Sequence, residues 1–284
     1  MSKNQSVVYL NGQFLPRSEA KMDVEERGTM FADGVYEVLR YYGGRALAMA
    51  AHVERLRLSM EAIRLPRSEH AAALGRVSDE LMHRNGLADA VVYWQVSRGS
   101  AKRNHAIPNG VAPTVMALAY GVEPVDPKAD PDAVTAVLVP DVRWHHCQIK
   151  SLMLLPAVLA HDDARRTGAE HALLHRDGTV TEGSAHNVII VRGGDLRTHP
   201  ANQWILAGIT RAILLERARS AGIEVSEEPF TTEDLLAADE VLITGTTTHV
   251  AAVVKVDGRN IKHGRVGPMA KRLRALLMQE ILKE

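Results

Sequence analysis

The sequence predicts a mixed α/β (α+β) protein of two domains, on three observations. Short apolar runs closed by turn residues alternate with segments of helical period along the chain. Three prolines crowd into "PVDPKADP" near the middle. The 284 residues, 46% of them hydrophobic, suffice for two cores.

The elements follow in order. "VVYL" and "QFL" flank Asn11 and Gly12, a pair suited to a tight hairpin, and "GVYEVLRYY" and "RALAM" flank Gly43 and Gly44 in the same way. Val53, Leu56, Met60 and Ile63 recur at three and four, which predicts a helix over 52–63. Ser68 caps a second helix that ends at Gly86. Two strands, "AVVYWQVSRG" and "PTVMALAY", complete a smaller N-terminal domain of residues 1–121. The prolines fit neither a ladder nor a helix interior, so residues 122–131 read as a linker.

The larger C-terminal domain, 132–284, opens on the strand "VTAVLV" and carries Lys150. A helix over 155–167 stops at Gly168, followed by "HALLH", a turn at Asp177 and Gly178, "NVIIV", a turn at Gly193 and Gly194, and "LRTHP". The helix of "GITRAILLERARSAG" comes next, then a strand near "EVSEEPF" and a helix cap at Thr231. "EVLIT", "VAAVVKV" and a helix from Pro268 close the chain.

Composition narrows the function. Thirty-four basic residues balance thirty-four acidic ones, which gives no general attraction to nucleic acid or an anionic membrane. The single cysteine, Cys147, excludes an intramolecular disulfide and fits a reducing compartment, with the cytoplasm as the expected location. The N-terminus shows no signal- or transit-peptide pattern, and no apolar run approaches the ~18 residues needed to span a bilayer. Phosphate-loop, dinucleotide-binding and nucleophile-elbow patterns are missing. His145, His146 and Cys147 are contiguous, which suits no common zinc spacing, and no metal site is expected.

Three features remain. Lys150 stands just ahead of the apolar run Leu152 to Leu155, where an ammonium is costly but a neutral amine or imine is not. This is a Schiff-base lysine's setting, and equally that of a lysine whose head reaches water. Glu182, in a turn between apolar strands with a conformationally free Gly183, can pair with a ring nitrogen or be a solvated loop acid. "AGITR" at 207–211 opens a helix, and "TGTTT" at 244–248 ends a strand in hydroxyls. Both can bind phosphate oxygens, or be a plain helix start and turn.

Taken together, "RGTMFADGVYEVLR", "HVERL", "RWHHCQIKSLMLLPAVLA", "TVTEGSAHNV", "AGITR" and "TGTTT" resemble the class IV (fold-type IV) pyridoxal-phosphate aminotransferases, in family order over nearly the whole chain. "DGVYEV", "SRGSAKRNHAIP", "CQIKSLMLLPAVLA" and "THPAN" look most like its D-amino-acid aminotransferases. The resemblance implies a two-domain fold-type IV enzyme in which Lys150 joins the cofactor aldehyde as an imine and Glu182 pairs with the ring nitrogen. It implies that Arg55, Ile209, Thr210 and Thr246 hold the cofactor phosphate and that Leu206 packs on the ring. It further implies that Tyr36, Arg103 and His105 bind the substrate α-carboxylate, with Arg103 and His105 supplied across a homodimer interface. The partners are then D-amino acids and 2-oxo acids.

There are departures from the family pattern. Ala185 and His186 follow Ser184 where serines are common, and Gly245 replaces a hydroxyl residue. Arg40 is expected near Tyr36 on one face of its strand. The alternatives are a class IV transaminase for branched-chain L-amino acids or (R)-amines, an aminodeoxychorismate lyase-like enzyme, and a binding protein that kept the fold and lost the chemistry.

Overall fold

Asn11 and Gly12 take φ of 46° and 91°. Two successive positive φ values make the turn whose twist suits a hairpin, so β1 (Val7–Leu10) folds directly onto β2 (Gln13–Pro16). The computed structural model describes residues 6–283. The N-terminal leader expectation falls partly on residues 1–5, and the second domain's last residue is 284; these lie outside the described residues.

The first unit continues through α1 (Arg27–Phe31), β3 (Gly34–Tyr42), β4 (Arg45–Ala46) and α2 (Met49–Ala62). It then runs through α3 (Glu69–Ala72), α4 (Leu74–Arg84), β5 (Ala90–Ser97) and β6 (Thr114–Gly121). Its strands pair antiparallel in the order β2-β1-β6-β5-β3-β4. One helix is expected from Ser68 to Gly86, but two form. Ser68 does cap the first, and the break falls at Ala73, whose ψ of −6° is too shallow to continue an α-helix. The amphipathic α4 buries Leu74, Val77 and Leu81, and its Ser78 hydroxyl accepts from the fully buried Trp94 indole at 2.7 Å.

The second unit begins with β7 (Asp132–Pro140), α5 (Leu155–Arg166), β8 (His171–Arg176), β9 (Thr179–Gly183), β10 (Asn187–Arg192) and β11 (Asp195–Thr198). It continues with α6 (Ile209–Ser220), β12 (Val225–Ser226), β13 (Phe230–Thr231), α7 (Thr232–Leu236), β14 (Glu240–Gly245), β15 (His249–Val256), β16 (Arg259–Asn260) and α8 (Pro268–Ile281). Its sheet runs β12-β11-β10-β14-β15-β7-β8-β9-β13, with β16 beside β15. β7 is parallel to both neighbours, β15 and β8, and α5 lies in the crossover to β8. Val188, Ile190, Leu173, Val253 and Phe230 form one core, while Ala160 and Ala164 of α5 pack with Ala172 and Leu174 in another. Burial on both faces explains why "NVIIV" is an unbroken apolar run.

The units divide after Val125, but Ile149–Met153 belongs with the first. This corrects the expectation that the C-terminal domain carries Lys150. The reason is an open strand edge. β4 pairs only with Tyr41 and Tyr42, leaving the start of β3 with unpaired backbone groups. The lysine segment fills that edge: Tyr36 N–H donates to the Lys150 carbonyl at 2.9 Å, Leu152 N–H donates to Gly34 at 3.0 Å, and Val35 bridges Ser151.

Candidate active site

In the first unit, Lys150 is fixed at its backbone and aimed by its surroundings. Its N–H donates to the buried Ser59 hydroxyl of α2 at 3.2 Å. Its Nζ stands 4.4 Å from the centre of the Tyr36 ring, close enough for a cation–π contact when protonated. Tyr36 leans in turn on Tyr93, with ring centres 5.7 Å apart.

Successive side chains of a strand point to opposite faces, so Glu37 faces away from Tyr36 and is fully buried. It accepts from Arg55 Nε at 2.7 Å and Nη2 at 2.8 Å, and its second oxygen lies 2.8 Å from His52 Nδ1. His52 and Arg55 reach the same carboxylate because they are three apart on α2. Burial penalises the Glu37 charge, yet the hydrogen bonds from Arg55 and His52, with the Lys150 charge added, hold its pKa down at about 2. Burial also lowers the His52 pKa, against the pull of the Glu37 carboxylate.

Arg40 does not reach the tyrosine. It donates to the Glu123 carbonyl at 2.8 Å and lies over Tyr42, because four residues along a strand carry it about 13 Å from Tyr36. Arg103 and His105 come together on Phe31, rather than on Tyr36.

In the second unit, Glu182 is on β9, 4% exposed, and so is neither a turn residue nor a solvated loop acid. It accepts from Arg143 Nη1 at 2.5 Å, from Asn187 Nδ2 at 3.0 Å and from the Leu206 N–H at 3.1 Å. Asp141 anchors Arg143 from the other side at 2.8 Å and also accepts from Thr181 at 2.9 Å. Burial opposes the Arg143 charge, but Asp141 and Glu182 outweigh it and push its pKa above the ordinary arginine value. Asp141 is held at about 2 by Arg143 against the opposing effect of burial. The backbone freedom expected of Gly183 is not what the site uses. Its φ is not positive; instead a Cβ would crowd the carbonyls of Ala172 and His186 at 3.3 Å.

Asn187 joins the parts of this half-site. It donates to Glu182 and to the Leu206 carbonyl, stands opposite Thr244 in the β10–β14 register, and its Oδ1 occupies the space a Cβ on Gly208 would need. Gly208 opens α6 with no side-chain cap, so Ile209 and Thr210 lie in a first helical turn whose N–H groups suit an anion. The Thr244 hydroxyl is buried and unpartnered, and Thr246 lies in the turn that follows. His186 and Gly245, two of the three departures, are neighbours: the imidazole is 3.5 Å from where a Gly245 side chain would start.

Sequence reasoning missed Glu37, His52, Asp141, Arg143 and Asn187. The only local signal was the "DVR" pair of Asp141 and Arg143; the Arg143 to Glu182 link spans 39 residues.

Residues 34–256 match the family model for amino-transferase class IV. The chain belongs to the class IV aminotransferases. It is 40% identical to a D-alanine aminotransferase of Staphylococcus haemolyticus over 94% of each chain, and 39% identical to that of Bacillus licheniformis over 98% of each. Among solved structures, the Escherichia coli branched-chain amino acid aminotransferase superposes with a TM-score of 0.87 at 26% identity, covering 95% of this chain and 92% of its own. The branched-chain aminotransferase of Thermoproteus uzoniensis, solved with norvaline, gives 0.86 at 27%, covering 98% and 95%.

Class IV aminotransferases are pyridoxal-phosphate enzymes, and the residues here fit that group. The first unit offers a primary amine whose backbone is hydrogen-bonded in place. The second offers a buried carboxylate, an uncapped helix start and an unpartnered buried hydroxyl, the donor set an aldehyde, a pyridine nitrogen and a phosphate require.

Proposed function

We propose that this aminotransferase moves the amino group of D-amino acids to a 2-oxo acid, as in D-alanine and 2-oxoglutarate giving pyruvate and D-glutamate. The observation that carries this reading is near full-length similarity to D-alanine aminotransferases at 39–40% identity, against 26–27% for the branched-chain enzymes.

Pyridoxal 5'-phosphate, when bound, supplies an aldehyde that condenses with amines and a ring that withdraws electrons from the substrate Cα. Lys150 is the residue that holds it covalently. Glu182, kept in place by Arg143, Asn187 and Leu206 N–H, would set a negative charge at the ring nitrogen. Leu206 packs on the ring. Arg55, Ile209, Thr210 and Thr246 hold the phosphate, each charge-assisted bond contributing about 1.5–3 kcal/mol. With the cofactor bound, Lys150 Nζ would serve as the base that takes the proton from the substrate Cα and later gives it back.

Tyr36, Arg103 and His105 bind the α-carboxylate. Lys150 reaches Cα from one face only, so a carboxylate fixed at one edge presents the Cα hydrogen of a single enantiomer to it.

A homodimer that supplies Arg103 and His105 across its interface is the proposed assembly. Leu155, Val158 and Leu159 along α5 are 68, 58 and 55% exposed, an apolar face that a second subunit would cover. Among the described residues no helix is long and apolar enough to cross a membrane, and the lone, buried Cys147 supports a reducing compartment, the cytoplasm.

The test is a half-reaction. Cofactor-loaded protein mixed with D-alanine is expected to lose its long-wavelength absorbance and release pyruvate, while L-leucine leaves the spectrum unchanged. Bleaching by L-leucine alone overturns the D-amino-acid reading in favour of the branched-chain one.

A further inference from the structure

We infer that Phe31 is a positioning residue, the post on which Arg103 and His105 are held ready for an anionic substrate group. The inference rests on the proposed role of that pair in binding the α-carboxylate.

The loop that carries them is rich in exposed polar residues, and two long side chains in such a loop would normally sample many rotamers. Here they share a support. The Arg103 guanidinium lies 5.3 Å from the centre of the Phe31 ring, and the His105 ring lies 5.5 Å from it at 53°. Residues 103 and 105 flank Asn104, and it is the Asn104 carbonyl that accepts from Arg27 Nη1 at 2.6 Å. The Asn104 side chain accepts from Ala106 N–H at 3.0 Å, which closes the turn. The middle of the tripeptide is therefore tied down while its two outer side chains meet one ring.

The post is itself braced. Arg27 is 3% exposed, stands 4.7 Å from the centre of the same ring, and donates to Asp33 at 2.9 Å. Asp33 also accepts from the buried Arg98 at 2.8 Å, and Arg98 continues to the carbonyls of Ile63 and Arg64. The buried Glu26 caps α1 through Thr29 N–H at 3.0 Å and accepts from the Ser97 hydroxyl.

Charge adds direction. Arg27 and Arg98 both bond Asp33, and Glu26 is taken up by Thr29 N–H, so these two carboxylates are already bonded. Arg103 is exposed and lies on the Phe31 ring. A preformed cation of this kind binds a carboxylate without first ordering its own side chain. The same support would let the pair be offered intact to a neighbouring subunit.

The experiment is a double-mutant cycle on the full-length, cofactor-loaded enzyme with D-alanine, using Phe31→Leu, Arg103→Ala and the double variant, with Phe31→Tyr as the conservative control. Loss of a cation–π support predicts a KM about tenfold higher for Phe31→Leu, with kcat and cofactor content nearly unchanged and Phe31→Tyr close to wild type. In the double variant the Phe31 effect shrinks to the part carried by His105, because the cation it held is gone. The ring-current shift of the His105 imidazole protons, read by NMR without substrate, is expected to be lost in Phe31→Leu and kept in Phe31→Tyr. Arg103→Ala raising KM while Phe31→Leu does not, or fully additive effects, overturns the positioning role and leaves the carboxylate role standing. An unchanged KM in Arg103→Ala overturns both.

Discussion

At the scale of single residues, the site depends on charges that are buried and answered. Lys150 stood out as a charge ahead of an apolar run and Glu182 as an acid between two apolar strands, each visible in one short window of sequence. Their supports were not, because a partner such as Arg143 for Glu182, or Arg55 for Glu37, becomes a neighbour only after folding. Glu37 makes the point sharply: within "GVYEV" it looks like any strand carboxylate, yet it is fully buried under Arg55 and His52. Replacing it with glutamine removes the buried charge that Arg55 and His52 are bonded to, which should destabilise the protein by about 3 kcal/mol, read as a fall in the urea midpoint at neutral pH. The pH dependence has a defined sign. The folded state keeps Glu37 ionised down to about 2, whereas the unfolded chain binds a proton near 4.5. Its stabilisation is thus complete above the upper value and lost as the pH falls through the lower. The wild type is expected to lose more stability than Glu37→Gln across that interval, and parallel acid titrations of the two would contradict the assignment.

At the scale of elements, period and turn chemistry carried most of the reading. Asn11-Gly12, Gly193-Gly194 and the Thr231 cap each act through neighbours in sequence, so they can be seen without the fold. The start of α6 shows the limit. "AGITR" reads as a helix opening, and α6 does begin at Ile209, but local sequence gives no reason for glycine at 208. Its φ of −66° and ψ of 130° suit any residue; what forbids a side chain is Asn187, twenty-one positions earlier, whose amide fills that space. Gly208→Ala should therefore displace Asn187 from Glu182 and Leu206 and disturb the proposed phosphate and ring-nitrogen contacts together. We expect cofactor affinity to fall about tenfold, measured by equilibrium dialysis, with only a modest loss of thermal stability, since one misplaced hydrogen-bonded side chain costs about 1–2 kcal/mol. Unchanged affinity would detach Asn187 from cofactor binding.

At the scale of the whole molecule, sequence order and spatial grouping part company at residues 149–153, which follow the linker in the chain yet complete the first unit at the open edge of β3. No local pattern announces such an exchange, because it is decided by which strand edge lacks a partner. The assembly question has the same character and permits a sharper test than a size measurement. Under the proposed dimer, the lysine and the carboxylate-binding arginine of one site belong to different chains. Lys150→Ala is expected to be nearly inactive as a homodimer, and Arg103→Ala nearly so at D-alanine concentrations far below its raised KM. When the two are unfolded together and refolded as a mixture, half of the dimers are mixed, and each mixed dimer rebuilds one site from the intact Lys150 of one chain and the intact Arg103 of the other. Activity should return to about a quarter of the wild-type value per subunit, a level fixed by random pairing in a two-fold assembly. If both residues of a site came from one chain, no pairing could restore it and the mixture would stay inactive. Recovery that also depends on protein concentration would tie the restored sites to subunit association.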